Sequence, residues 1–250
     1  MKIIELDSIG STSSYLASMG TEAPHGTIVT TREQTAGRGQ RGNSWESAPG
    51  ANVTMSMMLR SPEIPAVAPA KQFALSEHVA LAVADTIRPL VGSAGHVAVK
   101  WPNDIYVDNR KIAGILLECA HAAGRLERMI AGIGLNVNQR EFVSDAPNPV
   151  SLRQLTGREY ELGPIVAEIG RRIAEFPRLE SESVYPFPAT HERYMAQLWR
   201  REGYHRYFDN ENGEVFEAEI ISVEPDGLLR LRHADGSVSI HEFKTVRALL

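Results

Sequence analysis

The sequence predicts an α+β protein: a mixed or antiparallel sheet covered by helices, followed by a small carboxyl-terminal β-barrel. Two patterns carry this. Over the first 200 residues, strand-like and helix-like segments mix without regular βαβ alternation. After Gly203 the helical periodicity stops, and Asn212-Gly213, Asp226-Gly227 and Asp235-Gly236 punctuate short β-like runs. Composition agrees with a packed fold, since 43% of the 250 residues are hydrophobic and 23% charged. The organisation expected is 1–202 as a main domain and 203–250 as the barrel packed on it, because so short a barrel is marginal alone.

Residues 1–9 alternate apolar with polar side chains and read as a strand, not as an export signal. Ser11, Thr12, Ser13 and Ser14 then lead into Tyr15-Leu16-Ala17 as a loop whose hydroxyls cap a helix. Thr27 to Glu33 and Asn52 to Leu59 are strands, and the glycine-rich stretch between them is too long for a tight hairpin. Ala66 to Val91 reads as one long amphipathic helix, with too many charges to span a membrane. Val97 to Val107, Lys111 to Ala120 and Arg128 to Val137 form an antiparallel meander, with Pro102 delaying or bulging the first strand. Helices follow at about Pro164 to Phe176 and Ala189 to Arg201. The barrel strands are Glu217 to Val223, Leu228 to Arg232, Ser237 to Phe243 and Val246 to Leu249.

A formal charge of -5 favours neither nucleic acid nor an anionic membrane. One cysteine, Cys119, builds no disulfide framework, and the eight histidines lack ligand-like spacing, so a reducing, cytoplasmic setting is expected. Three stretches concentrate chemistry. Arg32, Arg38 and Arg41 stand among Gly37, Gly39 and Gly42, where backbone N–H groups can approach an anion; the same pattern also suits a solvated crossing. It lacks the Gly-Lys-Ser/Thr of a Walker loop and the strand-turn-helix setting of a dinucleotide fingerprint. Lys100 and Lys111 flank Asn103-Asp104 inside apolar strands, which suits an anionic ligand, or alternatively two lysines snorkelling from sheet edges around a turn. Gly132 and Gly134 clear one face of a strand ending at Asn136 and Asn138, for a flat ligand or for close strand packing.

Taken together, Ser11-Thr12-Ser13, Gln34, the 37–42 loop with Trp45, Lys100-Trp101-Pro102-Asn103-Asp104, Lys111-Ile112-Ala113-Gly114-Ile115-Leu116 and the Gly132 to Asn138 strand resemble the biotin protein ligases in order and spacing. The barrel is similar to that family's SH3-like domain. The resemblance implies an enzyme that joins biotin to ATP as biotinyl-5'-AMP, releasing pyrophosphate, and then acylates a lysine of a biotin carboxyl carrier protein domain of a carboxylase. ATP with Mg2+ is the implied co-substrate and ion, with no tightly bound metal and the ion placed near Asp104. By similarity Lys111 and Arg38 are catalytic. Ser11, Thr12, Ser13, Gln34, Arg38, Gly39, Gln40, Lys111 and Gly114 take biotin. Arg38, Arg41, Trp45, Lys100, Asn103, Asp104, Lys111 and Asn136 serve the adenylate or ATP. Trp45 is expected to cover the water-labile anhydride, with residues 38–45 mobile when empty and ordered with ligand.

Two positions depart from the family's usual pattern. Ser13 stands where asparagine is usual, and Gln40 where arginine is common, which alters one biotin contact and loosens the hold on the adenylate. Some relatives begin with a DNA-binding helix-turn-helix; here the pattern starts at residue 3, so no repressor function, no nucleic-acid partner and no membrane are expected. Free sheet edges permit a homodimer. The competing readings are a lipoate or octanoate ligase of the same fold and a non-catalytic biotin sensor; retention of both Arg38 and Lys111 argues against the sensor.

Overall fold

The computed structural model describes residues 1–37, 39, 45–122, 124–143 and 148–249, apart from the side chain of residue 125. Seven strands form the main sheet: β1 (Lys2–Ile9), β2 (Thr27–Gln34), β3 (Val53–Arg60), β4 (Val97–Lys100), β5 (Asp104–Val107), β6 (Arg110–Ala122) and β7 (Arg125–Leu135), in spatial order β1-β2-β3-β7-β6-β5-β4. Only β1 and β2 run parallel; the other neighbours are antiparallel, so the sheet is mixed.

Strand alternation splits the sheet into two faces. Met55, Met57, Leu59, Ile115, Ile133 and Val99 point into the large core beneath α2 (Phe73–Val91) and α4 (Leu162–Ala174). Met58, Val29 and Ile130 point the other way, against Leu16 of α1 (Thr12–Ser18). A second cluster, Ala98, Tyr106 and Trp199, covers the β4–β5 end of that face, and between the two clusters lie glycines and polar groups, where the candidate site is built.

The five-stranded second sheet is antiparallel, with β8 (His205–Asp209), β9 (Val215–Val223), β10 (Leu229–His233), β11 (Val238–His241) and β12 (Val246–Ala248) in the order β11-β10-β9-β8-β12. It docks on the first through Trp101, whose Nε1 donates to the carbonyl of Gly227 at 3.0 Å, and through Arg201, which donates to Ile220 O at 2.6 Å. Gly227 has φ +91° and its Cα faces the Phe73 ring so closely that a Cβ would come within 2.7 Å. Gly227→Ala is therefore expected to cost about 2–3 kcal/mol through left-handed backbone strain plus displacement of the ring, read as a lowered midpoint in denaturant unfolding.

Three expectations are corrected. The helix begins at Phe73, not Ala66, because Pro69 holds Ala68 in the extended region and only a short 3₁₀ turn over Pro69–Lys71 follows before it. Val97 to Val107 is a hairpin of two strands, with Lys100 opposite Asp104 and a cis Trp101–Pro102 peptide in the turn. The second helix of the later pair, α5, covers only Pro188–Ala196. Two elements were missed: β8, and α3 (Leu152–Thr156), which a Ser151/Gln154 capping box announces.

One buried pair has a pH signature. Glu77 on α2, 2% exposed, receives Nδ1 of His191 on α5 at 2.8 Å, and Tyr185 stacks on that imidazole. Burial pushes the Glu77 carboxyl up, more than the His191 contact pulls it down. The folded chain thus binds this proton more tightly than the unfolded one, so its contribution to stability falls as pH rises from the usual glutamate range through the raised value. Glu77→Gln is expected to gain on the parent across that interval and to keep the gain above it, measured as denaturation midpoints against pH. Among the described residues no helix is long and apolar enough to cross a membrane, and no group of three or more His, Cys, Asp or Glu is placed to hold a metal.

Candidate active site

The site begins where the parallel β1–β2 register sets Ile9 beside Gln34, bringing the start of α1 to the end of β2. Ser11 is the N-cap, its Oγ accepting from the Ser14 amide at 3.4 Å, which leaves Thr12 and Ser13 facing the sheet from the first turn. The Thr12 amide donates to Gln34 Oε1 at 3.0 Å and the Thr12 hydroxyl does so at 3.3 Å. Ser56 of β3, absent from the sequence-based site, lies 2.7 Å from Thr12 Oγ1 and 2.8 Å from Ser13 Oγ. Its signal was a lone hydroxyl in the Met55–Met58 run, on the α1 face. Ser11, Thr12, Ser13 and Ser56 are all buried.

The charged part lies across the sheet. A bulge between Ile105 and Tyr106 shifts the β5–β6 register, and Lys111 Nζ pairs with Asp104 Oδ2 at 2.7 Å, both about a quarter exposed. Lys100 is on the same face but half-buried: its Nζ donates to Tyr106 Oη at 3.0 Å and rests over the Tyr106 and Trp199 rings. Burial pushes its pKa down and Asp104 counters this, so it is no solvated edge lysine. The Asn103 side-chain amide donates to Ile115 O, bracing the turn behind Asp104.

Between the two ends runs a floor of glycines. The Ser13 hydroxyl sits over Gly132, where a Cβ would come within 2.8 Å of it. Two residues on, Gly134 lies under the Trp45 indole, and Gly114, its cross-strand partner, lies under both that ring and Lys111 Nζ. Lys111 Nζ is 5.7 Å from the indole centroid. The glycines thus admit an aromatic cover rather than tighter strand packing. The ring's entry is fixed by the Trp45 amide, which donates to Gly37 O at 3.2 Å.

Asn136 closes the floor. Its amide nitrogen donates to Val150 O at 3.1 Å, while its Oδ1, like the Trp45 Nε1, is buried without a partner among the described residues. Asn138 instead exchanges hydrogen bonds with the Tyr160 backbone and is structural. Arg32 packs its guanidinium by Gly50, away from this floor's contacts. Arg38, Gln40 and Arg41, and with them most of the 38–45 loop, lie outside the described residues.

The described side chains therefore assemble a neutral hydroxyl-amide cluster, a flat floor under an indole, and a lysine-aspartate pair on one sheet face. Comparison with known proteins matches residues 6–136 to the Biotin/lipoate A/B protein ligase family. The bifunctional ligase/repressor BirA of Escherichia coli is 33% identical over 182 residues, 72% of this chain and 54% of that protein. The biotin--[acetyl-CoA-carboxylase] ligase of Paracoccus denitrificans is 38% identical over 133 residues, 52% of this chain and 53% of that protein. This chain spans about half the length of these relatives. Biotin protein ligase from Aquifex aeolicus, solved with biotin and ATP, superposes with a TM-score of 0.77 over 99% of both chains at 21% identity, a likeness of fold.

Proposed function

Because the chain belongs to the Biotin/lipoate A/B protein ligase family, we propose that it is an ATP-dependent biotin protein ligase, forming biotinyl-5'-AMP and passing biotin to a lysine of a carboxylase's biotin carboxyl carrier protein. One observation carries the substrate: the neutral cluster of Thr12, Ser13, Gln34 and Ser56 and the Lys111 ammonium lie at opposite ends of one glycine floor. That pattern suits an acid with an uncharged polar head, an apolar body and a carboxylate tail. Biotin fits all three. Lipoate and octanoate lack the polar head that would use the hydroxyls.

In the first step a biotin carboxylate oxygen attacks the α-phosphorus of ATP as the bond to pyrophosphate breaks. Two anions must meet, so the chain's task is to neutralise and align them rather than to supply a nucleophile. Lys111 does this at the carboxylate and the developing adenylate phosphate, and Asp104 fixes where its ammonium stands. By resemblance to the family, Arg38, Gly39 and Gln40 would contact the same intermediate and Arg41 the nucleotide, and Lys100 adds positive potential on the nucleotide side. The Trp45 indole excludes water from the anhydride. The Asp104 carboxylate and the Asn136 Oδ1, unpartnered among the described residues, are oxygen acceptors of the kind that magnesium and its bound waters take, so the residues present fit an ion brought with the nucleotide, which would supply charge neutralisation at the phosphates. In the second step the carrier lysine attacks the acyl carbon and AMP leaves. Residues 1–202 perform this chemistry and 203–250 form the SH3-like module that steadies it.

The test is incubation of the chain with MgATP and biotin, lipoate or octanoate, without carrier. Pyrophosphate release with biotinyl-adenylate in the biotin arm alone is expected. Adenylate from lipoate or octanoate instead would overturn the substrate, and biotin binding without adenylate would overturn the enzyme.

A further inference from the structure

Hydrogen-bond directions around Ser56 can be counted through to the ligand. The Gln34 amide is oriented by the Thr12 backbone N–H, which only its oxygen can accept. The Thr12 hydroxyl, facing that same oxygen at 3.3 Å, must donate to it. Thr12 Oγ1 has then spent its proton, so the 2.7 Å contact with Ser56 is a donation from Ser56. By the same count the 2.8 Å contact between Ser56 and Ser13 is a donation from Ser13. The order runs one way, Ser13 to Ser56 to Thr12 to Gln34, and each hydroxyl's single proton is used. Ser13 Oγ, lying over Gly132, is left with lone pairs only.

We propose that Ser56 is a positioning residue which, by taking the Ser13 proton, makes Ser13 a fixed acceptor and so selects a ligand head that presents an N–H to it. This rests on the biotin reading above and deepens it. Ser56 itself, fully buried beneath the two hydroxyls, acts through them. A buried acceptor rejects a second acceptor strongly, because neither lone pair then finds a proton. Without Ser56 the Ser13 hydroxyl is free to turn its proton outward and serve either kind of ligand atom.

The experiment uses the full chain and isothermal titration with biotin and with the two cyclic carbamates in which one or the other ring N–H of biotin is replaced by oxygen. The parent is expected to bind biotin about 100-fold more tightly than one of the two carbamates. In Ser56→Ala that ratio is expected to shrink to about tenfold or less, with KM for ATP within about twofold of the parent. Ser56→Cys, which fills the same space with a weak donor, is expected to move the ratio in the same direction, so the result does not hinge on a cavity. A biotin-to-carbamate ratio unchanged in both variants, with biotin still bound, would overturn the relay. A parent chain that binds no biotin would overturn the ligase reading itself, and this inference with it.

Discussion

Lys111→Ala is expected to slow adenylate formation on the order of 10³-fold in kcat/KM for biotin while leaving the fold intact. The reaction brings a carboxylate against a phosphate, and Lys111 is the described cation whose Nζ reaches the glycine floor, 3.4 Å from where a Gly114 Cβ would stand. Its pairing with Asp104 does not silence it. An ammonium has three N–H donors, and Asp104 holds it in place while leaving donors for substrate oxygens. Removing Lys111 does double damage, since the Asp104 carboxylate then faces the substrate anions uncompensated. A double variant separates the two effects: at saturating MgATP, Lys111→Ala with Asp104→Asn is expected to recover about tenfold of the loss, because the repulsion goes, the asparagine oxygen still offers the ion an acceptor, and the missing cation does not return. Single-turnover pyrophosphate release reads both. Equal rates for the single and double variants would mean that Asp104 sits outside the reacting charges.

Much of this site was legible in the sequence because its chemistry is local. The capping hydroxyls at 11–13, the Lys100 to Asp104 block and the alternating Gly132 and Gly134 each fall within one element or one turn, where spacing dictates direction. What spacing could not supply was adjacency across strands. Gly114 and Gly134 form one floor only because the β6–β7 register sets them opposite each other. Ser56 joins Thr12 and Ser13 only because α1 folds back over β3. The Glu77–His191 pair reads as two unrelated helix positions until α2 and α5 meet. Helix boundaries failed where a proline stood inside an apolar run: the Ala66 to Gln72 stretch has helical periodicity, but Pro69 holds Ala68 extended, so only a 3₁₀ turn precedes the helix. The hairpin at 97–107 reads as one interrupted strand because Trp101-Pro102-Asn103 lacks the Asx-Gly signal that marks the other turns, while the register sets Lys100 opposite Asp104.

Gly134→Ala carries the second large expected effect, and its size follows from what the added methyl would strike. A Cβ at Gly134 would stand 2.3 Å from Cε2, 2.5 Å from Nε1 and 2.7 Å from Cζ2 of Trp45, so it meets a rigid ring and not a flexible tip. The indole has to lift, yet its own amide is tethered to Gly37 O. Gly134 has no positive φ, and alanine is no worse than glycine in a strand, so backbone strain adds nothing and stability is expected to change by less than about 1 kcal/mol. The lifted ring opens the floor to water, and biotin activation is expected to fall about 100-fold, with a shift in tryptophan emission reporting the movement. Gly163→Ala, on α4 with nothing within 4 Å of its added methyl, serves as the neutral comparison. Gly132→Ala strikes the other end, meeting the Ser13 hydroxyl at 2.8 Å, and is expected to raise the Kd for biotin without moving the indole. If Gly134→Ala shifted the emission but kept full activity, the indole would be a packing element over the floor and the anhydride would have to be guarded by another part of the chain.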